Sequence, residues 1–239
     1  MTGRGVAEPV VALDVPTSTA AMALVDRLGS ACRFYKVGLE LFTAAGPPVI
    51  EALRARGVDV FLDLKLHDIP NTVAGAARRA AGLGVRLLTV HASGGEKMVR
   101  AAVEAFGRSP DGGILAVTVL TSLDAGAVAS AWGRADVDVG VEVLRLSGVA
   151  ADAGAHGVVC SGAEAAAVRA RYGAQVATLV PGVRLAGDTV GDQRRVVTPA
   201  QAAAAGARYV VLGRTVTAAA DPVAALVRAT AELGAGSPG

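Results

Sequence analysis

The sequence predicts a single α/β domain in the form of a closed (β/α)8 barrel, the TIM-barrel fold. Eight short apolar runs alternate with longer, alanine-rich stretches of helical period, and no two runs read as a hairpin. This alternation is typical of parallel β-α units. Of the 239 residues, 52% are hydrophobic and only 3% are aromatic, which suits helices packed closely on a parallel sheet. A doubly wound open sheet is the competing architecture, but eight regular units in a chain of this length favour the barrel.

The predicted strands follow in order along the chain, and helical segments separate them. The strands are Val10–Val15, Phe34–Gly38, Val58–Leu66, Leu87–Ala92, Ile114–Thr121, Gly157–Ser161, Val176–Pro181 and Tyr209–Arg214. The clearest amphipathic segments are Thr17–Leu28, Pro47–Arg56, Thr72–Gly82 and Glu96–Phe106. Because no linker divides the chain, we expect residues 1–239 to form one domain, with flexible tails at residues 1–8 and 234–239.

Composition and charge exclude several classes of protein. The net charge is +2, and no run of Lys or Arg exceeds two residues, which argues against a nucleic-acid surface. No apolar run reaches the roughly 18 residues of a transmembrane helix, and residues 1–9 lack the apolar core of a signal peptide. Cys32 and Cys160 lie in apolar stretches without metal-ligand spacing, as buried thiols do in a reducing compartment. We therefore expect a cytoplasmic protein that contacts neither nucleic acid nor membrane.

The third predicted strand carries two charged residues near its carboxyl end. Active sites of (β/α)8 barrels lie at the carboxyl ends of the strands, and Asp63 and Lys65 stand near the end of Val58–Leu66. Side chains alternate faces along a strand, so these two residues share the face towards the barrel mouth, and the leucines around them share the other. They could form a structural ion pair. Because a buried pair is weak evidence for stability, the pair indicates function.

Two more charges lie at the ends of the first and second strands. Asp14 could cap the helix that follows it, and Lys36 could extend its ammonium group out of the barrel. Together with Asp63 and Lys65, however, they place charges of alternating sign on three neighbouring strands, which points to one shared site. The chain has only three lysines among its 23 basic residues, and Lys, unlike Arg, can give up a proton near neutral pH.

The same strand carries a family motif. The segment Asp63-Leu-Lys65-Leu-His-Asp68-Ile-Pro-Asn-Thr72 resembles the signature of the bacterial orotidine 5′-phosphate decarboxylases. Further segments, in order along nearly the whole chain, are similar to that family: Ala12–Asp14, Phe34–Gly38, Val119–Ser122, Pro181–Arg184, Asp192–Gln193, Thr198–Pro199 and Gly213–Arg214. One departure is Thr215, where many relatives have Pro or Ser. The Asp-x-Lys-x-x-Asp string alone belongs to a wider barrel superfamily, but the run of matched segments makes the resemblance specific.

The resemblance implies a cofactor-free enzyme that converts orotidine 5′-phosphate into UMP and CO2 in de novo pyrimidine biosynthesis. Lys65 would protonate C6 of the pyrimidine after CO2 leaves, and Asp63 would sit beside the departing carboxylate. Lys36 would hydrogen-bond Asp63 and the ribose, and Asp14 would bind ribose hydroxyls. Asp68 would reach into the site from the second subunit of a homodimer.

The resemblance also implies substrate-binding positions outside this group of charges. They are Ile69, Thr72, Thr121, Ser122, Pro181, Arg184, Gln193, Gly213 and Arg214. Thr72 would act across the dimer interface. Thr121 and Ser122 would face the pyrimidine amide, and either could make the main contact.

The phosphate of the substrate would lie at the ends of strands seven and eight, where barrels commonly bind phosphate. Gly213 lets the backbone approach closely, and Arg214 supplies a guanidinium fork. Arg184 and Gln193 lie on the loop from Gly182 to Pro199. Arg184 could instead be a solvated loop charge.

Metal-dependent and non-catalytic proteins are the alternatives. His91 ends the fourth strand and could bind a metal, but the three histidines do not cluster in the sequence, which favours a supporting role. A sugar-phosphate lyase of the same superfamily would use Mg²⁺ with an acidic residue on strand two, where this chain has Lys36. A barrel that only binds nucleotides has no need of Lys65 between two aspartates. We therefore expect an enzyme with no metal and no cofactor.

Overall fold

Residues 7–185 and 196–236 are described by a computed structural model, and a closed barrel of eight parallel strands forms their centre. The strands are β1 (Glu8–Ala12), β2 (Phe34–Gly38), β3 (Asp59–Leu66), β4 (Leu87–His91), β5 (Gly113–Val117), β6 (Gly157–Val159), β7 (Ala177–Val183) and β8 (Tyr209–Leu212). Each strand pairs with the next in sequence, and β8 closes onto β1 through pairs such as Val10 with Val211. The predicted (β/α)8 barrel is confirmed.

Helices cover the outside of the barrel. They are α1 (Ser18–Leu28), α2 (Leu39–Ala45), α3 (Pro47–Ala55), α4 (Pro70–Gly82), α5 (Gly95–Phe106), α6 (Ala125–Trp132), α7 (Val139–Asp152), α8 (Gly162–Tyr172), α9 (Pro199–Ala204), α10 (Arg214–Thr217) and α11 (Pro222–Gly236). Capping side chains fix where several helices begin. The Thr17 hydroxyl accepts from the N–H of Ala20 at α1, and Thr198 with Gln201 forms a capping box at α9. Within the described ranges, no helix has the length and apolar character needed to cross a membrane.

The alternation of side chains along the strands divides the core into two layers. Inside the barrel lies one apolar cluster: Val10, Ala12, Phe34, Phe61, Leu87, Leu115, Val117, Val159, Leu179, Tyr209 and Val211. Between the strands and the helices lies a larger cluster, which contains Leu62 and against which Leu64 and Leu66 pack. The predicted outward face of the third strand is therefore confirmed, and it leaves Asp63 and Lys65 on the inner side.

Both predicted tails are too long. Ala7 is buried, and Glu8 begins β1, where it pairs with β8. At the other end α11 continues to Gly236, whose backbone lies so close to Ala200 that a Cβ there would collide with the Ala200 carbonyl oxygen. Backbone pairing and packing thus hold both ends of the described chain against the barrel. The rest of the predicted tails, residues 1–6 and 237–239, lies outside the described residues.

Several strand ends differ from the prediction because hydrogen bonding, rather than hydrophobicity, sets them. β5 ends at Val117, earlier than predicted, and Val117 with Val159 is its last pair with β6. The N–H and the hydroxyl of Thr118 both donate to the carbonyl oxygen of Val159, at 3.2 and 2.8 Å. β8 also ends early, at Leu212. β7 continues further than predicted, to Val183, which pairs with Leu212 after a register shift.

One arginine closes the amino-terminal end of the barrel. The guanidinium of Arg86 donates to both carboxylate oxygens of Glu8, at 2.7 and 2.8 Å, and to Asp59 at 3.2 Å. The guanidinium carbon also lies 4.7 Å from the ring centroid of Phe34 and 5.8 Å from that of Tyr209, a cation–π geometry. Arg86 thereby joins four strands, at the end of the barrel that serves stability rather than catalysis.

We expect Arg86→Ala to lower the free energy of unfolding by roughly 3–5 kcal/mol, because it leaves the half-buried Glu8 carboxylate without its partner. Arg56→Ala is the matched control, since Arg56 pairs with Asp26 at 3.0 Å on the surface, where losing a pair costs about 1 kcal/mol or less. Urea unfolding followed by circular dichroism measures both variants. Equal losses would contradict the role of Arg86 in closing the barrel.

Candidate active site

A cavity of about 530 Å³ opens at the carboxyl ends of the strands, the end at which barrels carry active sites. Its walls come from β2, β3 and β7 and from the segments that follow β1, β5, β7 and β8. Ten of the predicted residues line it: Asp14, Lys36, Asp63, Lys65, Thr121, Ser122, Pro181, Arg184, Gly213 and Arg214. Residues from across the sequence therefore meet in one cavity.

Four of these residues form a row of alternating charges, called here the charged row: Asp14, Lys36, Asp63 and Lys65. The ammonium nitrogen of Lys36 lies 2.7 Å from Asp14 Oδ1 and 4.0 Å from Asp63 Oδ2. The ammonium nitrogen of Lys65 lies 2.7 Å from the same Asp63 oxygen. The Lys36 and Asp63 side chains are only 11% and 13% exposed, so solvent screens the inner part of the row less than it would a surface pair.

The alternatives that placed Asp14 and Lys36 outside the site are wrong. Helix α1 is capped by Thr17 rather than by Asp14, and Lys36 is buried with its ammonium group turned to two carboxylates rather than to solvent. A Cβ on Gly38 would lie 3.1 Å from Lys36 Nζ and 3.4 Å from Asp14 Oδ1. A side chain at the end of β2 would therefore press on this ion pair.

Thr89 on β4 joins Asp63 to Lys65, and the motif-based prediction missed it. Its buried hydroxyl donates to Asp63 Oδ1 at 2.8 Å and accepts from the backbone N–H of Lys65 at 2.9 Å. A signal for it exists in the sequence. Thr89 is a polar residue in an otherwise apolar stretch and stands two residues before His91, so both residues face the barrel interior.

Lys65 has a backbone conformation that L-residues avoid. Its φ is +50°, the only positive φ of a non-glycine residue within residues 7–185 and 196–236. The pairing of β3 with β4 also shifts register between Leu62 and Leu66, and such a bulge re-aims a side chain. The left-handed conformation costs roughly 1–2 kcal/mol for a residue with a Cβ. The contacts of Lys65 with Asp63 and Thr89 offset this cost.

The floor of the cavity is apolar. Phe61, Val117, Val159, Leu179 and Val211 belong both to the cavity lining and to the inner layer of the core. Because these side chains exclude water from beneath the charged row, electrostatic interactions there act through a low local dielectric. A ligand that covers this floor would therefore feel the fixed charges strongly.

Two arginines follow β7 and β8 in the lining. The guanidinium of Arg184 donates to the carbonyl oxygen of Val183 at 3.0 Å, and Arg214 begins α10 directly after Gly213. A Cβ on Gly213 would meet no atom within 4 Å, so its backbone borders open space. Gln193, which was predicted to join these residues, lies outside the described residues, as do the other residues from 186 to 195.

Three further predicted residues of the lining come from the segment after β5 and from β7. Thr121 is 8% exposed, whereas Ser122 is exposed at the cavity rim. Pro181 lies in β7 beside Gly182, whose φ is +72°, at the register shift with β8. This irregular stretch of β7 turns its backbone towards the cavity, as bulges next to active sites do.

Asp68, Ile69 and Thr72 do not belong to the described lining of the cavity in their own chain. All three are exposed around the start of α4, and Ile69 leaves 66% of its surface uncovered. Asp68 Oδ1 accepts from the N–H of Ile69 at 2.6 Å, and Pro70 begins the helix. The chain turns these residues outward.

His91 lies next to the charged row and against His67. The two imidazole centroids are 5.5 Å apart, with 34° between the ring planes. Burial lowers the pKa of His91 from its ordinary value of 6.5, and the positive charges of His67 and Lys65 lower it further. Within residues 7–185 and 196–236, no group of three or more His, Cys, Asp or Glu side chains could hold a metal ion. The expectation of a metal-free site stays a prediction.

Comparison with known proteins decides the family. The profile of the orotidine 5′-phosphate decarboxylase / HUMPS family matches residues 8–229. The chain belongs to this family. A relative from Halorhodospira halophila named orotidine 5′-phosphate decarboxylase is 50% identical over 233 residues, which cover 95% of each chain. One of the same name from Moorella thermoacetica is 50% identical over 94% of this chain and 91% of its own. The family predicted from the motifs is confirmed.

Solved structures support the fold in the same way. The crystal structure of orotidine 5′-phosphate decarboxylase from Lactobacillus acidophilus is 34% identical and superposes with a TM-score of 0.83, covering 95% of this chain and 99% of its own. The structure of that name from Pyrococcus horikoshii OT3 is 27% identical, with a TM-score of 0.75 and the same coverage. Both similarities extend over the whole barrel.

We expect Thr89→Val to lower the free energy of unfolding by roughly 1–3 kcal/mol, because it leaves the Lys65 N–H and one Asp63 oxygen without their buried partner. Thr89→Ser keeps the hydroxyl and should lose only about 0.8 kcal/mol, for one methyl group. Urea unfolding of the two variants gives the comparison. If Val is tolerated as well as Ser, the hydroxyl does not hold these two residues.

Proposed function

We propose that this chain decarboxylates orotidine 5′-phosphate to UMP and CO2, a step of pyrimidine biosynthesis. The observation that carries the proposal is the ammonium group of Lys65, held 2.7 Å from Asp63 above an apolar floor. A site that only binds a nucleotide has no need of an ion-paired lysine in a strained conformation. Membership of the family, and relatives of that name at 50% identity, support the same activity.

The charge of the cavity suits this substrate. Among the described lining residues the basic side chains are Lys36, Lys65, Arg184 and Arg214, and the carboxylates are Asp14 and Asp63, so basic groups exceed acidic ones by two there. Orotidine 5′-phosphate carries a phosphate and a carboxylate, and charged donors bind such groups strongly. The arginines would hold the phosphate, and the charged row would lie beside the ribose and the pyrimidine.

In the proposed reaction the bond between C6 and the carboxylate carbon breaks, and its electron pair stays on C6 as CO2 leaves. The ring does not conveniently delocalise that pair, so charge already in place must stabilise the carbanion. The ammonium group of Lys65 supplies this charge and then donates a proton to C6, which completes UMP. Asp63 orients Lys65 and sits beside the departing carboxylate.

The remaining residues would orient the substrate. Lys36 and Asp14, paired at 2.7 Å, would bind the ribose hydroxyls. Thr121 and Ser122 would face the pyrimidine amide, with Pro181 beside them. Gly213 would let the backbone approach the phosphate, and Arg184, Gln193 and Arg214 would grip it. Such positioning converts binding energy into a lower barrier at the reacting carbon.

We also propose a cytoplasmic homodimer in which Asp68, Ile69 and Thr72 serve the neighbouring subunit's site. All three side chains are exposed around the start of α4, and exposure of the apolar Ile69 to water is unfavourable. In a two-fold dimer the same segment of each chain would meet the other chain's cavity. Asp68 would then approach Lys65 from the partner and extend the alternation of charges.

A magnesium-dependent sugar-phosphate lyase fits the cavity less well. Its second strand would present an acidic ligand to Mg²⁺, whereas β2 places the ammonium group of Lys36 next to Asp14 and Asp63. This cation would repel Mg²⁺ and already binds the carboxylates that a hard metal ion would need.

The direct test is a spectrophotometric assay with orotidine 5′-phosphate. We expect turnover that survives prolonged dialysis against EDTA. Lys65→Ala should lower kcat by at least the roughly 10²–10⁴-fold typical of a lost proton transfer. Lys65→Arg should lower it almost as much, because Arg does not release a proton readily.

Lys97→Ala is the matched control for this assay, since Lys97 is exposed on α5 and should be dispensable. Near-normal activity in either Lys65 variant would rule out the proposed acid. Activity that EDTA removes and Mg²⁺ restores would favour the lyase instead.

A mixing experiment tests the shared site. Lys65→Ala and Asp68→Asn homodimers should each be nearly inactive, but a hybrid dimer has one site with both defects and one site with neither. Random exchange in an equal mixture makes half of the dimers hybrids with one intact site each, so activity should return to about a quarter of wild type. Recovery of wild-type enzyme after the same dissociation is the control. If mass spectrometry shows exchange and no activity returns, Asp68 acts within its own chain.

A further inference from the structure

His67 and His91 make a contact that the proposed chemistry does not use. His91 is the last residue of β4 and is half-buried, whereas His67 directly follows β3 and is exposed. Their ring centroids are 5.5 Å apart and their planes are inclined by 34°. The end of one strand is thereby attached to the end of its neighbour through two side chains.

His67 is also held by the turn that follows β4. A Cβ on Gly94 would lie 3.2 Å from His67 Cδ2 and would collide with the sulfur of Met98. Because Gly94 has no side chain, the His67 imidazole can lie close to its backbone. Gly94 and His91 thus border the His67 ring on two sides, while the rest of the ring is exposed.

The segment that these contacts hold leads directly to Asp68. Leu66 pairs with Val90 of β4, so the backbone is fixed one residue before His67. One residue after it, Asp68 turns outward and accepts from the N–H of Ile69 at 2.6 Å. The contact of His67 with His91 therefore lies one residue before the point at which Asp68 turns outward.

We propose that the tilted His67–His91 ring pair is a positioning device, which fixes the segment from Leu66 to Ile69 so that Asp68 reaches the neighbouring subunit's active site. Neither imidazole touches the substrate in this role. The inference rests on the proposed function and on its shared site, and it adds residues that act through Asp68.

The charges around His91 make this device sensitive to pH. His67, Lys65 and Asp63 are the titratable groups that face it, and β5 places Val117 beside it. Burial, then His67 and Lys65, lower the pKa of His91, and Asp63 opposes them. The neutral ring is therefore favoured at neutral pH. As the pH falls through the lowered pKa of His91, protonation of this ring adds a positive charge beside Lys65 and should loosen the pair.

The decisive experiment places the His91 defect and the Lys65 defect on different chains. His91→Ala should lower kcat for orotidine 5′-phosphate by roughly 10- to 100-fold, as a misplaced catalytic group does, with little change in KM. In hybrids with Lys65→Ala, one site has an intact Lys65 and receives Asp68 from a chain whose His91 is intact. Activity should then return to about a quarter of wild type, as with Asp68→Asn.

His91→Phe separates packing from charge. Phenylalanine keeps an aromatic ring against His67 but does not titrate. The first comparison is made at about pH 7.5, well above the ordinary imidazole pKa of about 6.5. There kcat should stay within about threefold of wild type. Its kcat should fall less at acid pH than that of wild type. His156→Phe, at the amino-terminal end of the barrel, should keep the wild-type acid limb. The substrate phosphate titrates near pH 6 in every variant, so the difference between variants is the measurement.

Each outcome bears on one idea only. If wild type turns over and Asp68→Asn hybrids recover while His91→Ala hybrids do not, His91 acts within its own chain and the positioning role is wrong. A His91→Ala homodimer with normal kcat, or a His91→Phe variant as acid-sensitive as wild type, also overturns it. Failure of wild type itself to release CO2 would instead contradict the proposed function.

Discussion

The carboxylate of Asp63 is the group on which the rest of the site depends. It comes from β3, accepts hydrogen bonds from Lys65 and from Thr89 on β4, and lies 4.0 Å from the ammonium group of Lys36 on β2. Three neighbouring strands therefore converge on one pair of oxygens. Without this anion, Lys36 would keep only Asp14 and Lys65 would lose its carboxylate partner above an apolar floor, where desolvation opposes an uncompensated ammonium group.

The two ends of the barrel use the same interaction for different purposes. At the amino-terminal end, Arg86 is enclosed by carboxylates and aromatic rings, and its side chain is only 16% exposed. Its bonds are directed inward to the protein. At the carboxyl end, Lys65 has a single carboxylate partner within 4.0 Å among the described ion pairs and remains 32% exposed towards the cavity. A closed network stabilises the barrel, whereas an incomplete one is available to a substrate.

The fold and most of the cavity can be predicted from two alternations that are visible in the sequence: strands with helices along the chain, and inward with outward side chains along each strand. Strand and helix periods predicted the barrel, and the period of two placed Asp63 and Lys65 on one face. What could not be predicted depends on register between strands that are distant in sequence. The contacts of Thr89 with Asp63 and of Arg86 with Glu8 are of this kind, and the contact of Gly236 with Ala200 depends in the same way on how two helices pack. The positive φ of Lys65 is also invisible to a pattern that assumes a regular strand.

The strained backbone at Lys65 lowers the stability of the protein, while the Lys65 side chain is the one proposed for its chemistry. Glycine adopts a φ of +50° at no steric cost, so relief of strain alone would favour Lys65→Gly, whatever that substitution removes from the cavity. Stabilising changes chosen without regard to activity would therefore be drawn to this position first. Engineering for heat resistance should treat position 65 as fixed and seek its gains at the opposite end of the barrel, around Arg86.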